Sequence, residues 1–312
     1  MNSILSLIRS YLMVSLPIVF HPDYIVEFSG DTRFPLQKYQ ELRNVLERDD
    51  LLGPGNLFVP RPILRAQVEL THEKSYVKRV FCNTLSPKEK REIGLPNINQ
   101  FCQRAFISSG GTLLAARLAL QFGFAANSAG GSHHAASARG SGFCIFNDVA
   151  VAVNCLLNER KVSKVIILDL DVHQGDGTAE IFQSDDRVFT VSMHCQKNFP
   201  VKKITSNLDV GLEAGTGDKE YIASLANIIK KLQKIPADLL IYNAGIDVHE
   251  DDVLGHLNLS SVGIMEREKM VLDFIVKRKL PFVVTLGGGY QKNVATLGNL
   301  HSMIFNEVLN RL

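Results

Sequence analysis

From residue 165 onward the chain alternates short Val/Ile/Leu-rich runs with stretches of helical period, and this alternation limits the fold more than any other feature. The runs span residues 165–168, 188–193, 239–242 and 282–286, and the helical stretches begin near Thr178 or span 219–233, 264–277 and 293–310. Runs that are apolar on both faces and separated by helices belong to strands of a parallel sheet covered by helices on each side. The expected class is therefore α/β, three-layer αβα with a mainly parallel central sheet. The first half reads mostly as helical pieces, preceded by a strand at 16–20. Its helices are expected at 36–47, at Ser86-Pro87-Lys88-Glu89 (a capping box stopped at Gly94), at 112–122 ended by Gly123, and at 147–160. No repeat and no Pro/Gly/Ser linker interrupts the pattern, so residues 16–312 are expected to form a single domain and 1–15 an N-terminal extension.

Composition narrows the function classes. With 34 Lys+Arg against 32 Asp+Glu the formal charge is +2, so there is no basic excess to hold a nucleic-acid backbone. Hydrophobic residues make up 46%, enough for a sizeable core and against disorder as the main state. Five cysteines, an odd number with no CxxC pair, argue against a disulfide framework and for a reducing compartment. A cytoplasmic location is expected, or a nuclear one in a eukaryote. Residues 1–20 are apolar, but Arg9, Pro17 and the lack of a charged leader or small-residue cleavage site speak against a signal peptide or a stable membrane anchor. Met13 is an alternative start.

Chemistry gathers after the strands. The run at 165–168 leads into Asp169-Leu170-Asp171-Val172-His173-Gln174-Gly175-Asp176-Gly177, and the next strands lead into Ser192-Met193-His194, Asn243-Ala244-Gly245-Ile246-Asp247 and Gly287-Gly288-Gly289-Tyr290. Ligands of open α/β sheets bind at the carboxyl ends of the strands. Asp171 and His173, two apart in an extended segment, face the same way, and Asp247 from another strand end supplies a third ligand. Two carboxylates and an imidazole suit zinc and leave a coordination position open, although the DxH triplet alone also reads as turn acids beside a surface histidine. Gly130-Gly131-Ser132-His133-His134 reads as an irregular loop in which two imidazoles can share a site, or as solvated surface. Asp169 and Asp176 remain as acids to orient those rings. Tyr290 follows a turn free of side chains, where a phenol can donate to a developing oxyanion or simply pack. Gly142-Phe143 and Phe199-Pro200 are candidate channel walls or core.

Taken in order, Gly-Gly-Ser-His-His-Ala, Gly-Ser-Gly-Phe-Cys-Ile-Phe-Asn-Asp, Leu-Asp-Leu-Asp-Val-His-Gln-Gly-Asp-Gly-Thr, Ala-Gly-Ile-Asp and Gly-Gly-Gly-Tyr closely resemble the zinc-dependent histone deacetylase family of the arginase/deacetylase superfamily. The similarity covers roughly residues 16–305. Thr32-Arg33-Phe34-Pro35, Gly110-Gly111-Thr112-Leu113-Leu114-Ala115 and Asn198-Phe199-Pro200 look most like class IV and its bacterial relatives. The resemblance implies one catalytic Zn2+ on Asp171, His173 and Asp247. It implies a catalytic pair, His133 and His134, oriented by Asp169 and Asp176, with Tyr290 polarising the scissile carbonyl. It also implies substrate contacts from the Gly142 carbonyl, Phe143 and Phe199, and a monovalent cation (K+) at Asp169, Asp171, His173, Ser192 and Met193. Arg33 is matched to the arginine of an internal product channel. Class IV relatives usually carry asparagine where this chain has Asp176, and an acid there is expected to raise the pKa of His134.

The activity implied is hydrolysis of N-ε-acyl-lysine amides in a protein or peptide substrate. The nearest alternatives are a long-chain fatty-acyl-lysine deacylase and an acetylpolyamine amidohydrolase, the latter disfavoured by the absence of extra loop sequence. A noncatalytic acyl-lysine-binding scaffold would be expected to lack a ligand, a histidine or the tyrosine, and none is missing. Iron(II) suits the same ligand set. Direct nucleic-acid binding is not expected, and the sequence leaves the oligomeric state open.

Overall fold

A computed structural model describes residues 16–26, 32–96 and 98–311. The expected extension 1–15 and the alternative start at Met13 lie outside the described residues. The eight strands there are β1 (Ile18–Val19), β2 (Leu57–Phe58), β3 (Phe124–Asn127), β4 (Val165–Asp169), β5 (Val188–Cys195), β6 (Leu208–Leu212), β7 (Leu239–Asn243) and β8 (Phe282–Thr285). They form one sheet in the order β2-β1-β3-β8-β7-β4-β5-β6, and every pairing is parallel. Strands β3, β8, β7 and β4 are buried along their whole length, which is why their sequences are continuous apolar runs.

The helices fall into two packed sets, one for each face. In chain order they are α1 (Lys38–Arg48), α2 (Arg65–Val68), α3 (Lys74–Phe81), α4 (Pro87–Ile93), α5 (Ile98–Phe122), α6 (Asp148–Asn158), α7 (Asp176–Phe182), α8 (Asp218–Leu232), α9 (Ser261–Arg278) and α10 (Val294–Leu309). Helices α1, α10, α9 and α8 pack in that order, while α5, α6 and α7 form the second set. The α/β three-layer class read from the sequence is the one observed. No helix of the described residues is long and apolar enough to cross a membrane.

Local signals explain several boundaries. Ser86 Oγ accepts the Glu89 N–H at 3.2 Å and the Glu89 carboxylate accepts the Ser86 N–H at 2.8 Å, closing the capping box of α4, and Gly94 ends the helix in the left-handed region. Asn147 caps α6 through the Ala150 N–H at 2.9 Å. The helix expected at 112–122 begins instead at Ile98. Ser108-Ser109-Gly110-Gly111 looks like a break, but a side chain at 110 or 111 would strike the Arg61 carbonyl or the Tyr24 hydroxyl. The glycines let the helix lie close against its neighbours. Strands β2, β3 and β6 are absent from the sequence reading. Two residues are too few to show a period, the alanines of β3 have weak strand preference, and β6 is an edge strand carrying Asp209 and Gly211.

Candidate active site

Parallel register brings the strand ends level. Asp169 at the end of β4 is the lateral partner of Asn243 in β7 and of Ser192 in β5, and Asn243 pairs in turn with Thr285 in β8. The chain leaving β3 also ends here, and Gly130 and Gly131 take φ of +82° and +84° to turn it. Such values favour glycine, and the turn delivers His133 and His134 to the same edge.

At the floor, Asp171, His173 and Asp247 are buried, and one donor atom from each lies within 4.8 Å of the others. His173 Nδ1 is 3.2 Å from Asp171 Oδ1 and 3.0 Å from Asp247 Oδ2. The remaining carboxylate oxygens are occupied: Asp171 Oδ2 accepts the Gly288 N–H at 2.6 Å and Asp247 Oδ1 accepts the Val172 N–H at 2.9 Å. Backbone donors thereby aim the other oxygen of each acid at the imidazole. Burial lifts the Asp247 carboxyl to about 7, helped by the charge of Asp171. Burial alone would press the His173 imidazole down, but the two carboxylates push it up to about 10. Asp171 is held well below its ordinary value against its own burial, mainly by His133 and His173. The buried O, N, O set fits a divalent cation, with His173 Nδ1 placed where a ligand nitrogen is needed.

Beside it, His133 Nδ1 is 2.6 Å from Asp169 Oδ2, His134 Nδ1 is 2.7 Å from Asp176 Oδ1, and the two Nε2 atoms are 3.1 Å apart. In the resting site two charges so close oppose each other, so one ring is charged and the other neutral. Burial lowers both rings, but Asp169 and Asp171 together push His133 up to about 9. His134 is pulled down to about 4 by burial and then by the charge of His133, which outweigh Asp176. The upward pull expected of the acidic partner Asp176 is present, but desolvation and the neighbouring imidazolium outweigh it, so the net shift is downward.

Two cavities meet here. An open outer cleft of about 380 Å³ runs to His173, and an inner cavity of about 30 Å³ lies behind, with His134, Gly142, Phe143 and Tyr290 lining both. Phe199 stands edge-on to His134 with ring centroids 4.8 Å apart. A Cβ at Gly142 would sit 2.6 Å from His134 Cδ2 and 2.9 Å from Phe199 Cε1, so the backbone passes there only as glycine. Phe143, at φ +67°, is held by the Ile93 carbonyl 2.7 Å from its N–H, and its ring lies 5.9 Å from that of Tyr290. Burial and the nearby Asp171 and Asp247 raise the Tyr290 phenol well above its ordinary value, so it keeps its proton. Ser192 and Met193 are buried within β5, where the Ser192 hydroxyl shares a 2.9 Å hydrogen bond with His194 Nδ1.

Arg33 does not reach the inner cavity; it lines the outer cleft and is exposed. The arginine that lines the inner cavity is Arg104, on α5. Lys38, almost fully buried, donates to the Gly287 carbonyl at 3.0 Å. The residue at position 33 belongs to the loop before α1, whereas Lys38 is the first residue of that inward-facing helix. Asp252 accepts the Tyr290 N–H at 2.6 Å, and Asn243 Nδ2 donates to Asp169 Oδ1 at 3.0 Å. Sequence reasoning missed Lys38, Arg104, Asp252 and Asn243 in these places, and only Asn243, at a strand end, carried a signal.

A parallel αβα sheet with an Asp-His-Asp triangle and two acid-paired histidines at its carboxyl edge is the arrangement that the resemblance to the arginase/deacetylase superfamily implies. The histone deacetylase domain model matches residues 33–305. An uncharacterised protein of Picosynechococcus sp. is 43% identical over 289 residues, covering 92% of this chain and 96% of its own length. Histone deacetylase 2 of Arabidopsis thaliana is 29% identical (89% of this chain, 75% of that protein), and histone deacetylase clr6 of Schizosaccharomyces pombe is 30% identical (88% and 73%). The crystal structure of the HDA15 HD domain shares the fold, with a TM-score of 0.78 at 21% identity over 95% of this chain and 89% of that one. The chain belongs to the histone deacetylase family, and with it to a family of hydrolases.

Proposed function

We propose that the protein is a zinc-dependent hydrolase of N-ε-acyl-lysine amides in proteins or peptides, of the class IV type. The observation that carries this reading is the convergence of Asp171, His173 and Asp247 at the floor of a cleft, beside two acid-paired imidazoles and a protonated phenol. Bound to Asp171, His173 and Asp247, zinc would supply Lewis acidity to an amide carbonyl and acidify water.

The chain's own groups divide the remaining work. His134 is neutral near pH 7, with Asp176 fixing its Nδ1, so its Nε2 takes the proton from the attacking water. The imidazolium so formed returns that proton to the departing lysine amine. His133 keeps its charge against Asp169 and stabilises the negative charge that builds on the carbonyl oxygen. The Tyr290 hydroxyl donates to that oxygen. The Gly142 carbonyl accepts from the substrate amide, and Phe143 and Phe199 flank the aliphatic part of the lysine. A monovalent cation, K+, belongs in this reading behind the site at Asp169, Asp171, His173, Ser192 and Met193.

The test is a panel of acetyl-, butyryl- and myristoyl-lysine peptides of one sequence together with N-acetylputrescine. Each is assayed before and after chelation and after restoring Zn2+ or Fe2+. Acetyl-lysine cleavage that vanishes on chelation and returns with Zn2+ is expected. Myristoyl-lysine or acetylputrescine as the preferred substrate, or activity indifferent to chelation, overturns the reading.

A further inference from the structure

The largest fully buried side chain among the described residues is a cation, Arg267, with no exposed surface. It stands on α9 beneath the strand ends, away from the cleft. Its Nη1 donates to the Gly245 carbonyl at 2.6 Å and lies 3.5 Å from the Leu170 carbonyl. Leu170 separates Asp169 from Asp171, and Gly245 stands two residues before Asp247. Gly245 also lies against Asp171, whose carboxylate fills the space a side chain at 245 would need. One nitrogen thus faces both peptide segments that carry the carboxylates of the triangle. The other side of the guanidinium is clamped: Nε and Nη2 donate to Glu268 Oε1, and Glu268 Oε2 accepts the Tyr242 hydroxyl at 2.8 Å. The Tyr221 hydroxyl adds a contact to the Leu170 carbonyl at 3.5 Å.

A buried ion pair is a weak source of stability, because desolvation offsets most of the attraction. Geometry, in contrast, is something a planar guanidinium held on one edge by a carboxylate supplies well. We infer that Arg267, clamped by Glu268 and Tyr242, is a positioning residue that sets the spacing of the Asp171 and Asp247 carboxylates for a divalent cation. The inference rests on the metal reading of those two acids and His173. Outer groups that orient metal ligands typically change metal affinity by about 10- to 100-fold when lost.

The experiment measures metal affinity directly. Zn2+ dissociation constants are obtained by competition with a chromophoric chelator, and the visible spectrum of the Co2+ form is recorded, for the wild type, Arg267→Met/Glu268→Gln and Arg267→Lys. The double variant removes both charges together, so no charge is left buried alone. Arg267→Lys keeps the charge opposite Glu268 but offers one nitrogen where the guanidinium offers three. Both are expected to bind Zn2+ about 10- to 100-fold more weakly with a shifted Co2+ band while retaining wild-type circular dichroism, and the lysine is not expected to rescue. Affinity within twofold of wild type and an unchanged Co2+ band in either folded variant overturn the inference. If the wild type itself binds neither metal, the metal reading fails first and takes this inference with it.

Discussion

His72 ties together the segment that carries the histidine pair, and its burial makes that tie sensitive to acid. The ring is buried in the turn before α3. Its Nδ1 lies 2.8 Å from the Ala136 carbonyl and its Nε2 accepts the Asn147 N–H at 3.0 Å, which fixes the proton on Nδ1. Burial pulls the pKa down from 6.5 to about 4, against a smaller upward pull from the Ala136 and Ser137 carbonyls. The unfolded chain therefore binds a proton between pH 6.5 and about pH 4 that the folded protein does not. Stability from this group is complete above 6.5 and is lost as the pH falls toward 4. At ~1.4 kcal/mol per pH unit the loss amounts to roughly 3 kcal/mol, most of it already present at pH 4.5. His72→Gln can keep both hydrogen bonds but cannot titrate. Urea denaturation of both proteins from pH 7 to 4.5 should show the wild type losing roughly 3 kcal/mol more than the variant, a large share of the total stability of an ordinary domain. A wild-type-minus-variant difference that stays flat across that range refutes the argument.

Two further outcomes follow from the site. Tyr290→Phe should retain the metal and lower kcat by about a hundredfold or more, as for the loss of one oxyanion donor; near-normal turnover removes the tyrosine from the chemistry. Gly142→Ala combines φ of +52° with a Cβ 2.6 Å from His134 Cδ2, so thermal melting should report a loss of about 1–3 kcal/mol and acyl-lysine turnover should fall as His134 or Phe199 is displaced. An alanine variant with unchanged melting and rate would show that the close approach carries no constraint.

The residues of the triangle were legible because they sit within a few positions of apolar runs whose strand character is plain. Asp169 ends β4, Asp171 and His173 follow it, Asp247 follows β7, and parallel pairing then makes the strand ends neighbours without further information. The His133–His134 loop was legible only as a motif. That it is also a strand end escaped notice, since Phe-Ala-Ala-Asn shows no strand signal until the sheet forms around it. For His134 a sequence shows the acidic partner Asp176 and its upward pull but neither the depth of burial nor the charged ring beside it, so the net lowering was not legible.

What the sequence concealed has a common physical form. Lys38 donates to the Gly287 carbonyl, Arg267 to the Gly245 carbonyl, Asp252 accepts from the Tyr290 N–H, and His72 spans the Ala136 carbonyl and the Asn147 N–H. Each holds the site through a backbone group, and every residue except proline carries the same N–H and C=O. The residues being held therefore leave no pattern that points to their holders, which lie on α1, on α9 and in loops far away in sequence. A side chain that touches substrate is confined to a few chemical types, and it stands out. One that restrains a carbonyl can be any donor that the packing brings within 3 Å. That asymmetry makes Arg267 a sharper target than another substitution among the triangle residues: removing one of those side chains shows that it matters, whereas loosening its carbonyl anchor tests how closely the fold must hold it.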